Sequence, residues 1–190
     1  MKHRMWWVSV LVLVVAACGA TPALELEDEP FRDQPNGYSF RHPRGWHQVY
    51  LERVGGHVFY RSDQPIEDIM AQRAVAEVPV VVVIAGPLDA VPNVLLDDVH
   101  NSKTMLQAFL AWLGDAQDAR VGRIRTITVA GKDAAVADIR WSQGEAKMAG
   151  RAVAVYLGDR GVFIEGAGQA ESWKAFEPTF EASLETMTLD

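Results

Sequence analysis

Residues 78–85 read Val-Pro-Val-Val-Val-Val-Ile-Ala, an apolar run rich in β-branched side chains and stopped by Gly86-Pro87. Branching at Cβ favours extended backbone over helix. A strand that is apolar at every position, with no alternation, is a central strand buried on both faces. The chain therefore needs a sheet with material on both of its sides. At 190 residues it is long enough for one such domain with a small appendage.

Patterning on either side of this run supplies the other elements. Tyr38, Phe40 and His42 alternate with Ser39 and Arg41, and Pro43-Arg44-Gly45 is a turn signal. Val49 and Leu51 alternate with polar neighbours, Gly55-Gly56 suits a two-residue hairpin loop, and Val58 and Tyr60 continue beyond it. These segments predict a meander of three antiparallel strands. Residues 65–76 have room for a short helix, and 88–100 are loop-rich. The spacing of Met105, Leu106, Phe109, Leu110, Trp112 and Leu113 predicts a helix over 101–114, capped by Asn101 or Ser102 and ended by Gly114. Strands are expected at 123–129, 135–141, 151–157 and 162–166. Gly166 and Gly168 then open a last helix from 170 to 187, with Trp173, Phe176, Phe180, Leu184 and Met187 on one face. Pro178 has no amide hydrogen for the Lys174 carbonyl, so a kink or break is expected there, and the apolar stripe aligned on both sides of it favours a kink.

The amino terminus carries an address. Lys2, His3 and Arg4 precede an apolar stretch from Trp6 to Ala17 that is too short to span a bilayer but fits the core of a secretory signal. Val15-Ala16-Ala17-Cys18-Gly19 resembles the bacterial lipobox, which places Cys18 as a lipid attachment site. The resemblance implies cleavage before Cys18, a diacylglycerol on its sulfur and an acylated amine (palmitate or a similar chain). Two or three acyl chains give stable anchoring where one does not. Cleavage removes Lys2 and Arg4 and no acid, leaving a more acidic head that is expected to stand off an anionic bilayer. The organisation expected is thus a lipoprotein signal peptide at 1–17, a lipidated and flexible acidic spacer at 18–36, and a domain at 37–190. The location implied is the extracytoplasmic face of a cell membrane.

Gly37-Tyr38-Ser39-Phe40-Arg41-His42-Pro43-Arg44-Gly45-Trp46 resembles the opening of the PsbP-like family, and Glu171-Ser172-Trp173 with the helix to Met187 resembles its closing strand and helix. The resemblance covers about residues 37–189. It implies an α+β fold, an α/β/α sandwich around a twisted, mainly antiparallel sheet with a packed C-terminal helix. Family members act mostly as binding or assembly proteins and generally lack a catalytic constellation. The photosystem role of the founding member does not transfer with the fold. Trp46 is expected to close the sheet edge beside its turn.

The search for chemistry returns little. A net charge of -7 argues against nucleic acid as a partner, because that recognition needs clustered Lys and Arg. A single cysteine excludes a disulfide framework and a Cys-rich metal site. There is no Gly-x-Ser-x-Gly elbow and no phosphate loop. His42 and His47 flank one turn without a carboxylate or thiolate beside them. Asp97, Asp98 and His100 read as a solvated acidic loop before a helix, and whether they hold a cation is open. No cofactor, metal or catalytic residue is assigned. The expected function is non-enzymatic binding or assembly with another envelope protein. The alternative is a carrier or sensor of a small apolar ligand in a cavity lined by Tyr50, Tyr60, Trp112 and Trp141, between sheet and helix.

Overall fold

The computed structural model describes residues 24–52, 55–71, 73–88, 98–117 and 119–190, and only the backbone of 112–117. The expected signal peptide, Cys18 and Asp97 lie outside the described residues. The elements are β1 (Phe31–Asp33), β2 (Tyr38–Phe40), β3 (His47–Leu51), β4 (Gly56–Tyr60), α1 (Ile66–Met70), β5 (Val80–Pro87), α2 (Ser102–Gln117), β6 (Arg120–Val121), β7 (Arg125–Val129), β8 (Lys132–Gln143), β9 (Ala146–Tyr156), β10 (Arg160–Gln169), α3 (Ala170–Glu185) and β11 (Thr188–Leu189). An eight-stranded sheet runs β3-β4-β5-β10-β9-β8-β6, with β7 also paired to β8. The pairings β3-β4, β4-β5, β5-β10, β10-β9, β9-β8, β8-β7 and β8-β6 are all antiparallel.

The apolar run of 78–85 becomes β5, seated between β4 and β10 with Val80 to Val83 buried. Alternation sends its side chains to two different cores. Val81 and Val83 join Val162, Ile164, Val153 and Val155 under the aromatic stripe of α3. Val80 and Val82 join Val58, Ile66 and Ala76 under α1. Further along that second face, Met105, Leu106, Phe109 and Leu110 of α2 cover Ala135, Ala137, Ile139, Ala152, Ala154 and Phe163. Alanines on β8 and β9 bring α2 close to the sheet. The sheet is thus packed on both faces, as an α+β sandwich with the C-terminal helix on one side.

Three expectations change. Instead of forming one meander with β3 and β4, β2 sits between β1 and β11 in a second, three-stranded sheet. All three of its residues are buried, because Tyr38 and Phe40 enter the α3-side core while the Ser39 hydroxyl meets that of Thr188 at 2.7 Å. Second, the acidic spacer is folded from Leu24 onward. Arg44 bonds Glu25 at 3.1 Å and Asp28 at 3.0 Å, and the Gly45 amide donates to Glu27 at 2.7 Å. The acid cluster therefore clamps the Pro43-Arg44-Gly45 turn, and Phe31 of β1 packs edge-on to Phe59 at 5.1 Å. Third, α2 continues past Gly114 to Gln117. Of the two outcomes expected at Pro178, the break does not occur, and α3 is one helix from Ala170 to Glu185. Pro178 lies on the exposed side, while Phe176, Thr179 and Phe180 around it are buried. Packing of that stripe holds the helix across the lost hydrogen bond.

The N-cap of α2 is Asn101, whose Oδ1 accepts the Thr104 amide at 2.9 Å. Ser102 instead ties the helix to the sheet, donating to the Asp133 carbonyl at 2.7 Å and accepting from the Tyr156 amide at 2.9 Å. Gly166 and Gly168 fall within β10 rather than before a helix. A Cβ on Gly166 would lie 2.7 Å from Phe180 and 2.8 Å from Trp173, so the missing side chain is what lets α3 settle on the sheet.

Candidate functional site

The sheet ends at β3 on one flank, and there a polar cluster joins the two sheets. Asp33, at the end of β1, is 7% exposed and accepts from the Asn36 side chain at 2.7 Å. Its Oδ2 also lies 3.2 Å from Nε2 of His57 on β4. The other ring nitrogen, Nδ1, accepts from the Gln48 amide of β3. Burial moves the His57 pKa below the usual histidine value against the pull of the Asp33 carboxylate, which favours the neutral imidazole. Both ring nitrogens are engaged, so neither is available to take a proton from a substrate. The Tyr38 hydroxyl, buried beside Asp33, has its pKa pushed upward by burial and by that carboxylate, and it stays protonated. The cluster straps β1 to the β3–β4 hairpin. Tyr50 stands over it, 51% exposed, with its ring 5.1 Å from that of His57.

The second polar centre is Arg151 on β9, 8% exposed, facing α3. Its guanidinium meets Asp138 at 2.7 Å, Glu177 at 2.5 Å and Glu181 at 2.5 Å. Each of its three nitrogens donates to an acid, so this arginine fastens α3 to β8 and β9. A third acid, Glu165 on β10, is partly buried, pairs in register with Val82 and Ala152 and has no ion-pair partner among the described residues. Burial raises its pKa from 4.5 to about 7.

Of the four aromatic residues expected to line one cavity, the three whose side chains are described are not brought together. Tyr50 is on β3 and Trp141 on β8, with β4, β5, β10 and β9 between them. At roughly 4.8 Å per strand that is on the order of 24 Å. Pairing places Tyr50 opposite His57 and on the α3 side of the sheet, whereas Tyr60 packs with the α1 core and Trp141 with the α2 core. Trp112 is on α2, and its side chain is outside the described residues. The histidines of the Pro43 turn also stay apart in role. His42 stacks near Phe59 at 5.2 Å with Nδ1 3.1 Å from the Pro43 carbonyl, and His47 lies against Tyr60 at 6.2 Å. His100 contacts the backbone carbonyl of Asp98 at 2.9 Å. Among the described residues no group of three His, Cys, Asp or Glu side chains converges as a metal site. Trp46 is 8% exposed and stacks on Phe176 at 5.0 Å with ring planes 9° apart, a packing role.

Sequence patterning does not single out Asp33, His57 or Arg151. One signal was legible: Glu165 is a lone acid within Val162-Phe163-Ile164-Glu165-Gly166-Ala167, a segment otherwise apolar. The Asp33–His57 contact had no local signal, because 24 positions separate the two residues.

No protein-family model matches the chain, and no curated protein sequence matches it. Solved structures do. The solution structure of cyanobacterial PsbP (CyanoP) from Synechocystis sp. PCC 6803 superposes with a TM-score of 0.58 at 15% identity, over 93% of this chain and 99% of that one. The crystal structure of LpqN, involved in cell envelope biogenesis of Mycobacterium tuberculosis, superposes with a TM-score of 0.57 at 14% identity, over 86% of this chain and 91% of that one. The order of elements, the antiparallel sheet and the closing helix are therefore those of a PsbP-like fold.

Proposed function

We propose that this protein is a lipid-anchored, extracytoplasmic binding protein whose folded head recognises another envelope protein without catalysing a reaction. The observation that carries the reading is the PsbP-like frame shared along nearly the whole chain with LpqN, a protein of cell envelope biogenesis. The lipobox-like segment ending at Cys18 supports the anchor. Both sheet faces are covered, so recognition falls to the edges. The β3 edge carries exposed His47, Gln48 and Tyr50 above the Asp33–His57 strap. An exposed tyrosine on a braced strand is the kind of residue that anchors an interface, since it adds large area at small entropic cost.

Photo-cross-linking in the native host tests this. A photoreactive residue at position 50 is expected to give one recurrent adduct with an envelope protein, and the same residue at Lys132 is not. Identical adducts from both positions, or none from position 50, would sink the reading.

A further inference from the structure

At the opposite flank of the sheet, three cations meet with no acid among the residues that line their groove. Arg120 of β6 pairs directly with Arg140 of β8. Two places along β8, Ser142 pairs with Lys147 of β9, and Ala149 of β9 pairs with Arg140. By strand alternation Arg120, Arg140, Ser142 and Lys147 share one face. They line a groove of about 450 Å³ together with Trp141. Like charges directly opposite on antiparallel strands repel. Nothing in the groove offsets this repulsion, and none of the three cations has a carboxylate partner among the described residues. Asp138, the nearest acid along β8, is held by Arg151 and Arg125. Arg140 also borders an adjoining cleft lined by Asp138, Glu171, Glu177 and Lys174, but it forms no ion pair with these acids. In a chain of net charge -7, a basic trio without an ion-pair partner among the described residues is a local reversal of sign.

We propose that this groove binds a phosphate-bearing polyol, either the headgroup of an anionic glycerophospholipid or a soluble phosphate ester. The two arginines supply forked donors that match phosphate oxygens, and Lys147 adds a mobile point charge. The groove is larger than a bare phosphate needs. The Ser142 hydroxyl, on the same face as the cations, is placed to take a hydroxyl of the skeleton attached to it. The first turn of α3 opens onto the same groove through Ala170, and its N-cap Gln169 makes no side-chain capping bond, so the helix end adds favourable field to a site the cations define. A lipid source is within geometric reach. The Leu24 amide bonds Thr179 of this same helix at 2.7 Å, roughly 14 Å along the axis from Ala170. The site does not depend on the partner proposed for the β3 edge.

The full chain, purified in neutral detergent micelles and phosphate-free buffer, is titrated with glycerol 3-phosphate. Separately, the micelles are doped with phosphatidylglycerol or phosphatidylcholine. Binding is read from titration calorimetry and from the rise in Tm. Saturable binding that falls with salt is expected. R140Q should weaken it by about tenfold, the loss expected for one charge-assisted contact, and R120Q/R140Q should abolish it. K147Q gives the same test in a milder variant should the double one not fold, and K132Q should bind as the wild type does. Glycerol 3-phosphate binding alone assigns a soluble ester, and a response to phosphatidylglycerol but not phosphatidylcholine assigns the headgroup. Undiminished binding by R140Q and K147Q, or no response to either probe, overturns the proposal.

Discussion

Glu165 shows how one misplaced charge shapes stability. Its folded pKa of about 7 exceeds the ordinary 4.5, so between those values the folded state holds a proton that the unfolded chain has released. Stability from this group is therefore complete below about pH 4.5, falls as pH rises toward 7, and levels off above. The fall is at most about 3 kcal/mol, taking about 1.4 kcal/mol per pKa unit. Glu165→Gln should remove that slope and raise stability at pH 8, as read from urea unfolding across pH. Parallel curves for variant and wild type would show the carboxyl to be ionised at ordinary cost. Gly166 makes the opposite case, an absence that matters. Gly166→Ala pushes a methyl toward Phe180 and Trp173 and should cost about 1–3 kcal/mol, the usual range for overpacking. An unchanged thermal midpoint would mean that the two rings shift freely.

Among the elements, α3 depends most on a single side chain of another. Its apolar stripe covers β9 and β10, and Arg151 receives Glu177 and Glu181 from its flank. Removing the guanidinium leaves three carboxylates facing one another. Arg151→Gln should cost about 2 kcal/mol, below the range for a fully buried pair because the acids are partly solvated. Amide exchange along α3 should quicken more than along α2. Equal protection of both helices in the variant would remove Arg151 as the fastening point. Pro178 belongs to this scale as well. Helical rules applied to the local sequence predict a kink or break, and the helix persists because residues on both sides of it are packed.

For the whole molecule, the proposed lipid anchor can be tested apart from the fold. Cys18→Ala should abolish lipid labelling and move the protein out of the membrane fraction, measured by fractionation and by mass of the mature amino terminus. Unchanged fractionation with unchanged labelling would overturn the anchor. The two flanks of the sheet differ in character: β3 presents Tyr50 and a braced polar cluster, and the β6–β8–β9 edge presents an uncompensated basic groove. Net charge averages over both and describes neither.

The sequence alone determined most of the strands and helices and that the Val-rich strand is central, and its resemblance to the PsbP-like family implied the frame that the solved structures share. The first two rest on periodicity and turn residues that act within about a dozen positions. Only the tertiary structure decided what depends on distant partners. It drew β1 out of the supposed spacer and put β2 in a second sheet with β11. It joined Asp33 to His57, set Arg120 against Arg140, and separated Tyr50 from Trp141 by the width of four strands. Strand order is the reason. It is fixed by which apolar faces bury each other best across the chain, and local patterning carries no record of that choice.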